Sequence, residues 1–306
     1  MRNVSFYRNG FLALLFFCWL AGCNKTPAPT KNPITPLQEL VNTDTTLSLF
    51  HRMVLQANEA GLLGNDSVTL LLPTNAAFRS AGYSEAIIDS LSAAFADRMV
   101  RYHFIRSRII PDGAVYTGYS TFLGYNVYGM TDGNQVRWFN GTTVTGDSAM
   151  VGNVLVYRLS TPLASPADSL DILLGSDSTL SFMAEVLRRT NLDSVVSSGA
   201  YTLLAPVNSA FINAGYDSVG AIDLADSATL VQLVKYHTLT GTFFTNTLMG
   251  LTTVPTLLGS SVTVSQSSGV LQFAGPGNSI PASWLSGNQP AGNAPIVQRI
   301  DQVLSP

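Results

Sequence analysis

The sequence predicts an α+β protein made of two tandem copies of one domain, and three observations lead to that prediction. The chain has 306 residues, which is the length of about two domains of ~150 residues each. Several short segments recur in the same order at a nearly constant spacing. Each copy begins with apolar residues at helical spacing and ends with glycine-rich segments in which apolar and polar residues alternate. This order of helices and then strands is typical of α+β domains.

The internal repeat sets the domain organisation. Residues 70–78 (LLLPTNAAF) recur 133 positions later as residues 203–211 (LLAPVNSAF), and residues 44–48 recur at the same spacing as residues 177–181. The spacing then grows slowly along the chain, which indicates one duplicated domain with later loop insertions. A period of this length predicts two globular copies rather than a solenoid, and we place the boundary in the serine- and proline-containing stretch 161–168.

The first half of each copy predicts helices around one short strand. A β-prone apolar run, residues 68–72 in the first copy and 201–205 in the second, is stopped by proline. The short helix that follows carries an asparagine that can cap it and a large aromatic residue. These residues are Asn75 and Phe78 in the first copy, and Asn208 and Phe211 in the second.

A longer helix follows in each copy, over residues 93–103 and 226–237, and ends in a tyrosine–histidine pair. The pairs are Tyr102-His103 and Tyr236-His237. The glycine-rich second half of each copy alternates apolar and polar residues, which predicts antiparallel strands. The expected strands include residues 125–128, 136–139, 262–264 and 270–273.

This ordered set of motifs, found twice, resembles the fasciclin domain. The first copy adds an Asn-Gly pair at residues 140–141 and a closing segment at residues 152–159 (GNVLVYRL), and the second copy closes with residues 296–304 (IVQRIDQVL). The copies cover residues 37–165 and 166–306. The resemblance implies that each is a wedge-shaped β-sandwich with flanking helices. It also implies a role in adhesion or extracellular interaction.

The N-terminus carries the pattern of an export signal. Arg2 and Arg8 form a positively charged region before an apolar run of 11 residues, residues 11–21, which is too short to span a bilayer. Residues 20–23 (LAGC) resemble the lipobox of bacterial lipoproteins, in which the cysteine becomes the lipidated first residue. The alternative is an ordinary signal peptide in which Cys23 is incidental.

We therefore expect a lipoprotein signal peptide at residues 1–22, lipid attachment at Cys23, and a proline-rich tether at residues 23–36 that holds the first domain off the bilayer. Asn24 follows the cysteine, which by the same resemblance favours the outer membrane. The expected location is the cell envelope. The expected partners are the membrane, through the lipid, and an extracellular or periplasmic protein or glycan.

The composition excludes several other classes of protein. Charged residues make up 11% of the chain and the net charge is −3, so a nucleic acid is not an expected partner. Cys18 and Cys23 are the two cysteines, which excludes disulfides and thiolate metal sites from the expected folded part. A three-histidine metal site would need every histidine of the chain. We expect no cofactor and no metal.

The tyrosine–histidine pairs are the first candidates for a functional site. His103 lies four residues after Met99, and His237 lies four after Leu233, so both are on the apolar face of their helix. The first interpretation is a buried neutral imidazole that bonds to the backbone. The second is a contact motif, which the resemblance implies because animal fasciclin domains have adhesive roles assigned around this pair. His51 is expected on a helix surface.

Catalysis is poorly supported by the sequence. The chain has no G-x-S-x-G motif, and residues 146–148 (GDS) lie between expected strands rather than at a strand-to-helix turn. The scattered carboxylates do not form an assignable pair for glycoside hydrolysis. We therefore expect no catalytic residues, and a hydrolase is a distant third hypothesis for function.

The aromatic residues offer a candidate ligand contact. Aromatic residues cluster at positions 116–128, and Trp284 lies in a proline- and glycine-rich stretch, residues 274–295, that we expect to be a loop. Exposed rings can stack on sugars, whereas alternate aromatics can equally fill the interior of a sandwich. The expected function is non-catalytic adhesion or interaction by a lipid-anchored envelope protein. The alternative is a glycan-binding accessory lipoprotein in polysaccharide capture.

Overall fold

The computed structural model describes residues 34–306 apart from residues 66, 112–115 and 134, and apart from the side chain of Tyr116. The expected signal peptide and Cys23 lie outside the described residues, as does most of the expected tether. Within the described part of the chain, no helix is both long and apolar enough to cross a bilayer.

The first copy places its helices before most of its strands, as the sequence predicts. The helices are α1 (Pro36–Thr43), α2 (Ser48–Gln56), α3 (Asn75–Ser80), α4 (Glu85–Ser90) and α5 (Ala93–His103), with 3₁₀ turns at Thr45–Leu47 and Ala60–Gly64. The strands are β1 (Thr69–Pro73), β2 (Phe104–Ile105), β3 (Tyr116–Ser120), β4 (Asn126–Asp132), β5 (Gln135–Phe139), β6 (Thr142–Thr143), β7 (Ala149–Val151) and β8 (Val154–Leu159).

The strands of the first copy form two sheets, in the orders β2-β1-β8-β7 and β3-β4-β5-β6. Strands β3 to β6 are antiparallel, as expected, whereas β1 and β8 are parallel, with Leu71 opposite Tyr157. The closing strand therefore lies beside the strand that opens the copy. An isolated bridge between Ile105 and Thr121 joins the two sheets.

The second copy repeats this order. Its helices are α6 (Leu170–Gly175), α7 (Ser181–Thr190), α8 (Asp193–Ser198), α9 (Asn208–Asn213), α10 (Val219–Leu224), α11 (Ser227–His237) and α12 (Thr245–Leu248), with a 3₁₀ turn at Ser178–Leu180. Its strands are β9 (Tyr201–Pro206), β10 (Thr238–Thr240), β11 (Thr253–Pro255), β12 (Ser261–Ser267), β13 (Val270–Ala274), β14 (Ala282–Pro290) and β15 (Ile296–Ile300).

The strands of the second copy form one seven-stranded sheet in the order β10-β9-β15-β14-β13-β12-β11. The long strand β14 pairs with both β13 and β15, and two irregularities in its register with β15 bend it between them. Strands β9 and β15 are parallel, like β1 and β8.

Each copy has its own hydrophobic core. Buried side chains of the first copy pack on the helical side, around Phe50 and Phe78, and within the sandwich, around Phe139. The second copy matches this arrangement around Phe211 and Phe273. In the described part of the chain, none of these clusters draws buried residues from both copies, so each copy can be stabilised by its own apolar burial.

Two expectations about local structure are wrong. Trp284 lies on β14 rather than in a loop, because the bends in β14 let a segment rich in glycine and proline pair with its neighbours. Asn75 and Asn208 are the first residues of α3 and α9 rather than their caps. Thr74 caps α3, whereas Val207 stands at the same place before α9 and makes no side-chain cap.

Candidate functional site

The long helix of the first copy ends in a buried histidine whose two ring nitrogens are both hydrogen bonded. The Nδ1 atom of His103 lies 2.7 Å from the carbonyl oxygen of Met99, and the backbone N–H of Leu163 donates to Nε2 at 3.0 Å. A carbonyl oxygen can only accept and an N–H can only donate, so the neutral tautomer with its proton on Nδ1 satisfies both contacts. His103 thereby connects α5 to the segment that leaves the first domain.

The second copy builds the same joint. The Nδ1 atom of His237 lies 2.8 Å from the carbonyl oxygen of Leu233, and the N–H of Leu304 donates to Nε2 at 2.9 Å. Burial lowers the pKa of His237 and of His103 to about 4, so both rings are neutral at pH 7. Both histidine rings are covered by their own domain. The contact with a partner that the resemblance implies for these tyrosine–histidine pairs stays a prediction.

Tyr102 joins α5 to the sandwich. Its hydroxyl donates to the carbonyl oxygen of Asn126 at 2.9 Å and accepts from Nδ2 of Asn140 at 2.7 Å. Asn140 also accepts from the N–H of Tyr128 at 2.9 Å. Its φ of 48° lies in the left-handed region that asparagine tolerates better than most residues. Burial raises the pKa of Tyr102, so its hydroxyl serves as a fixed connection within the domain.

Tyr236 occupies the matching place in the second copy. Its hydroxyl donates to the carbonyl oxygen of Ser261 at 3.3 Å. The backbone of Gly275 passes so close that a Cβ atom there would lie 2.5 Å from the Tyr236 hydroxyl and 2.0 Å from the carbonyl oxygen of Ser305. A glycine is required at this point because the C-terminal segment packs directly on it.

Asn75 holds the start of α2, and Asn208 holds the start of α7. Asn75 Oδ1 accepts from the N–H of Leu49 at 2.9 Å, and its Nδ2 donates to the carbonyl oxygen of Thr45 at 2.8 Å. Asn208 Oδ1 accepts from the N–H of Phe182 at 3.0 Å. Because α2 and α7 have no side-chain cap of their own, these asparagines satisfy N–H groups that the helices leave unpaired.

The aromatic partners of these asparagines fill the core. Phe78 and Phe211 are fully buried. Each meets the edge of a tyrosine ring five residues later, Tyr83 at 6.0 Å and Tyr216 at 6.1 Å between ring centroids. These positions give both phenylalanines a packing role.

An ion pair connects the beginning and the end of each copy. Arg158 on β8 lies 3.3 Å from Asp44, and Arg299 on β15 lies 2.6 Å from Asp177. Hydrogen bonds from Thr46, followed by the contact with Arg158, hold the pKa of Asp44 below its usual value. No known site motif in the sequence marks these residues. Their signal is the recurrence of residues 44–48 and of the arginine in each closing strand.

Trp284 takes part in a buried polar cluster. Its Nε1–H donates to Oε1 of Gln298 at 2.9 Å, and Oε1 also accepts from the N–H of Asn288 at 3.1 Å. The amide nitrogen of Gln298 donates to Oδ1 of Asn288 at 2.9 Å. Gln298 is fully buried and its polar atoms are satisfied. The indole N–H is therefore occupied, and the ligand contact assigned to Trp284 stays a prediction.

His51 lies in a groove beside α2 that differs from its counterpart in the second copy. The groove has a volume of about 520 Å³ and polar walls that include His51, Arg52 and Asp89. The groove beside α7 has a volume of about 550 Å³ and more apolar walls, with Ala184 and Leu187. The two domains thus present different surfaces at matching places.

The structure brings no hydrolase arrangement together at residues 146–148. This segment lies between β6 and β7 and lines a cleft of about 300 Å³ with Tyr157. Histidine is absent from the described residues that line that cleft. Across the described part of the chain, no group of three or more His, Cys, Asp or Glu residues is placed to hold a metal ion.

Part of the aromatic cluster forms the contact between the two domains. The Tyr125 hydroxyl donates to Oδ1 of Asp168 at 2.9 Å, and the Tyr128 hydroxyl donates to the carbonyl oxygen of Asn293 at 2.8 Å. The side chain of Asn293 accepts from the N–H of Asn126 at 2.7 Å. The sequence led to two interpretations of this aromatic cluster, sugar stacking and filling of the sandwich interior. Neither of them predicts a contact between the domains.

Further contacts extend this interface. The ring of Tyr128 lies 6.0 Å from that of Phe244 in the second domain. The amide of Asn246 contacts Sδ of Met130 at 3.0 Å. The connecting segment is held from both sides: the Arg98 guanidinium of the first domain donates to the carbonyl oxygen of Pro166 at 2.6 Å, and a β-bridge within the second domain joins Ala167 to Ala291. Residues 160–169 therefore form a packed connection rather than an extended linker. The interface residues carry no repeat signal, because each copy contributes a different surface.

The fold defines a tandem protein of two α+β sandwich domains whose recurring polar residues serve internal joints. The chain belongs to the fasciclin domain family, whose model matches residues 45–165 and 178–306.

One similar curated protein is human periostin, which is 28% identical over 185 residues. That match covers 58% of this chain and 21% of periostin, so the chain spans about a fifth of that relative. The chain is also similar to a solved structure of a FAS1 domain pair from the insect cell adhesion molecule Fasciclin I. The match covers 85% of this chain and 97% of the Fasciclin I chain, with 16% sequence identity and a TM-score of 0.41.

Proposed function

We propose that this protein is a non-catalytic, lipid-anchored protein of the cell envelope that acts in adhesion or extracellular interaction. The observation that carries the proposal is the presence of two fasciclin domains, which together occupy residues 45–165 and 178–306. Fasciclin domains are known from adhesion proteins, and the two matched segments cover most of the given chain.

The chemistry of the recurring motifs supports a non-catalytic role. His103 and His237 would be the natural general bases, yet each uses one nitrogen as donor and the other as acceptor within its own domain. A base needs a free lone pair within reach of a substrate proton. With these groups engaged, the outer surfaces and the junction of the domains are the parts left to contact a partner.

Membrane attachment is proposed through Cys23. The segment 20–23 (LAGC) closes an 11-residue apolar run, and the chain holds no cysteine after Cys23. Each acyl chain contributes ~0.8 kcal/mol per buried CH₂, and two or more chains give the stable anchoring that one chain does not. The net charge of −3 would not attract anionic headgroups, so the lipid has to supply the attachment.

The chain offers a matched pair of variants to test the anchor, Cys23→Ser and Cys18→Ser. In cells that naturally produce the protein, we expect wild type and Cys18→Ser to incorporate a fatty-acid probe and to partition into detergent. The Cys23→Ser protein should remain unlabelled, as an uncleaved precursor or a released soluble form. Unlabelled wild-type protein in the soluble fraction would leave an ordinary signal peptide as the correct interpretation.

The same variants test the interaction role. Cells that carry wild type or Cys18→Ser should attach to one another or to a coated surface more than cells in which the gene is deleted. Cys23→Ser cells should behave like the deletion, because the folded domains no longer remain on the cell. Equal attachment by wild-type and deletion cells would contradict a role in adhesion.

A second candidate function, the capture of glycans, is favoured by one observation. A cleft between the two domains, at a place other than Trp284, is lined by tyrosine rings and polar side chains, and Asp168 is the one charged side chain among the described residues that line it.

A further inference from the structure

The cleft between the two domains has a volume of about 590 Å³. Tyr125 and Tyr128 line it from the first domain, whereas Ser197, Thr242 and Asn293 line it from the second. Clefts at domain junctions are frequent ligand sites, and this volume lies within the ~300–1,000 Å³ range of small-ligand pockets. Neither domain alone contains the complete site.

The aromatic wall of the cleft is fixed in place. The Tyr125 hydroxyl bonds to Asp168, which also contacts Arg98 at 2.9 Å. The Tyr128 hydroxyl bonds to the backbone of Asn293. Because these contacts hold both phenol groups, the rings lose little conformational entropy when a ligand packs on them.

Polar groups on the same cleft remain available to a ligand. Asp168 uses Oδ1 for both Tyr125 and Arg98, which leaves Oδ2 without a partner in the described part of the chain. Asn293 accepts through Oδ1 from Asn126, which leaves its Nδ2 donor. Ser197 and Thr242 add hydroxyl groups that donate and accept. The cleft thus offers donors and acceptors beside two phenol rings.

The charge of the cleft narrows the class of ligand. Asp168 is the one charged side chain among the described residues that line it, and Arg98 already balances that carboxylate. A phosphate or carboxylate ligand would find no cation in the wall, and a cation would have to compete with Arg98. The cleft therefore favours an uncharged ligand. Hydroxyl groups on that ligand would bond to the polar side chains, and an apolar face would lie against a tyrosine ring.

We propose that the interdomain cleft binds a neutral saccharide, with Tyr125 and Tyr128 packing against the C–H face of a sugar ring and Asp168, Thr242 and Asn293 bonding to its hydroxyls. This proposal deepens the second candidate function and rests on it, not on lipid anchoring. Burial of the apolar sugar face supplies affinity, and the oriented polar groups supply selectivity.

The test uses the full chain in detergent against an array of neutral oligosaccharides and polysaccharides, followed by calorimetry on the sugar that binds best. Ala200 is exposed on the cleft wall, so Ala200→Trp should fill the cleft without disturbing a core. The matched control is Ala228→Trp, at an exposed position on α11 away from the cleft. We expect Ala200→Trp to weaken binding at least ~10-fold, and the control to leave the affinity unchanged.

A second pair of variants tests the polar contacts. Thr242→Val keeps the shape of the side chain and removes its hydroxyl, and Thr263→Val makes the same change at an exposed site on β12. We expect roughly 5–10-fold weaker binding for Thr242→Val and no change for Thr263→Val.

Two results would overturn the proposal. One is no binding of the wild-type chain to any neutral glycan on the array, and the other is equal binding by Ala200→Trp and its control. Neither result bears on acylation of Cys23 or on cell attachment, so failure here is distinguishable from failure of the proposed adhesion role.

Discussion

Each buried histidine connects the end of a long helix to a strand-end segment far away in sequence. His103 bonds to Leu163, and His237 bonds to Leu304 near the C-terminus. Protonation of either ring would place an N–H against the backbone N–H that now donates to it. Burial penalises the charged imidazolium and lowers the pKa of both groups to about 4, so the folded state favours the neutral ring.

This arrangement predicts a loss of stability in mild acid. An unfolded histidine has a pKa of about 6.5, so between pH 6.5 and pH 4 the unfolded chain binds more protons than the folded chain. The stabilisation is complete above pH 6.5 and is lost as the pH falls through that window, by about 3 kcal/mol per histidine. Urea unfolding from pH 7.5 to pH 4 measures it. His237→Gln should weaken the pH dependence of unfolding of the second domain and leave that of the first domain, which contains His103, unchanged. An unchanged profile of the second domain in that variant would contradict the assignment.

For single residues, the sequence predicts which side chains are buried better than it predicts their hydrogen-bond partners. The spacing of His103 and His237 from apolar residues one helical turn earlier places both on an apolar face. The N–H donors lie 60 and 67 residues away, so only the fold brings them to the rings. The roles of Gln298 and Asn288 near Trp284 are hidden for the same reason, because no local pattern marks a buried amide.

The asparagines at the start of α3 and α9 act between elements. Asn208 closes the N-terminal end of α7 through Phe182, Ser178 and Ser181. It thereby ties the strand-to-helix turn after β9 to the helix that packs on it. Asn75 makes the same set of contacts in the first copy.

Asn208→Ala should lower the free energy of unfolding by about 1–2 kcal/mol, because helix N–H and C=O groups lose their partners. The matched control is Asn213→Ala, at the exposed end of α9, which should change stability by less than ~0.5 kcal/mol. Chemical denaturation of the second domain measures both. Equal effects of the two variants would show that the Asn208 bridge does not stabilise the fold.

The sequence predicts the elements of this fold well where periodicity is strong and poorly where strands bend. The helices ending in Tyr102-His103 and Tyr236-His237 follow from their apolar spacing and from a serine or aspartate cap. Strand β14 cannot be predicted in this way, because its glycine, proline and serine residues are typical of a loop and the sequence does not show which strands pair with it. The parallel partner of β1 is equally hidden, since β8 follows about 80 residues later.

At the scale of the whole molecule, the duplication predicts two cores but not how they meet. Buried clusters stay within one copy in the described chain. The junction uses tyrosines of the first copy and a turn near Asn293 of the second. These residues have no counterparts that recur, so a single sequence cannot show that they touch.

The chain holds two fasciclin domains, and we expect each of them to fold on its own core. The direct measurement is thermal and urea unfolding of two fragments, residues 34–166 and 167–306, beside the full chain. The division keeps the Leu163 contact to His103 and the Ala167 contact to Ala291 within their fragments. We expect a cooperative transition in each fragment, because the interface is largely polar and the cores are separate. The absence of a cooperative transition in both fragments would contradict this expectation and show that the domains fold only as a pair.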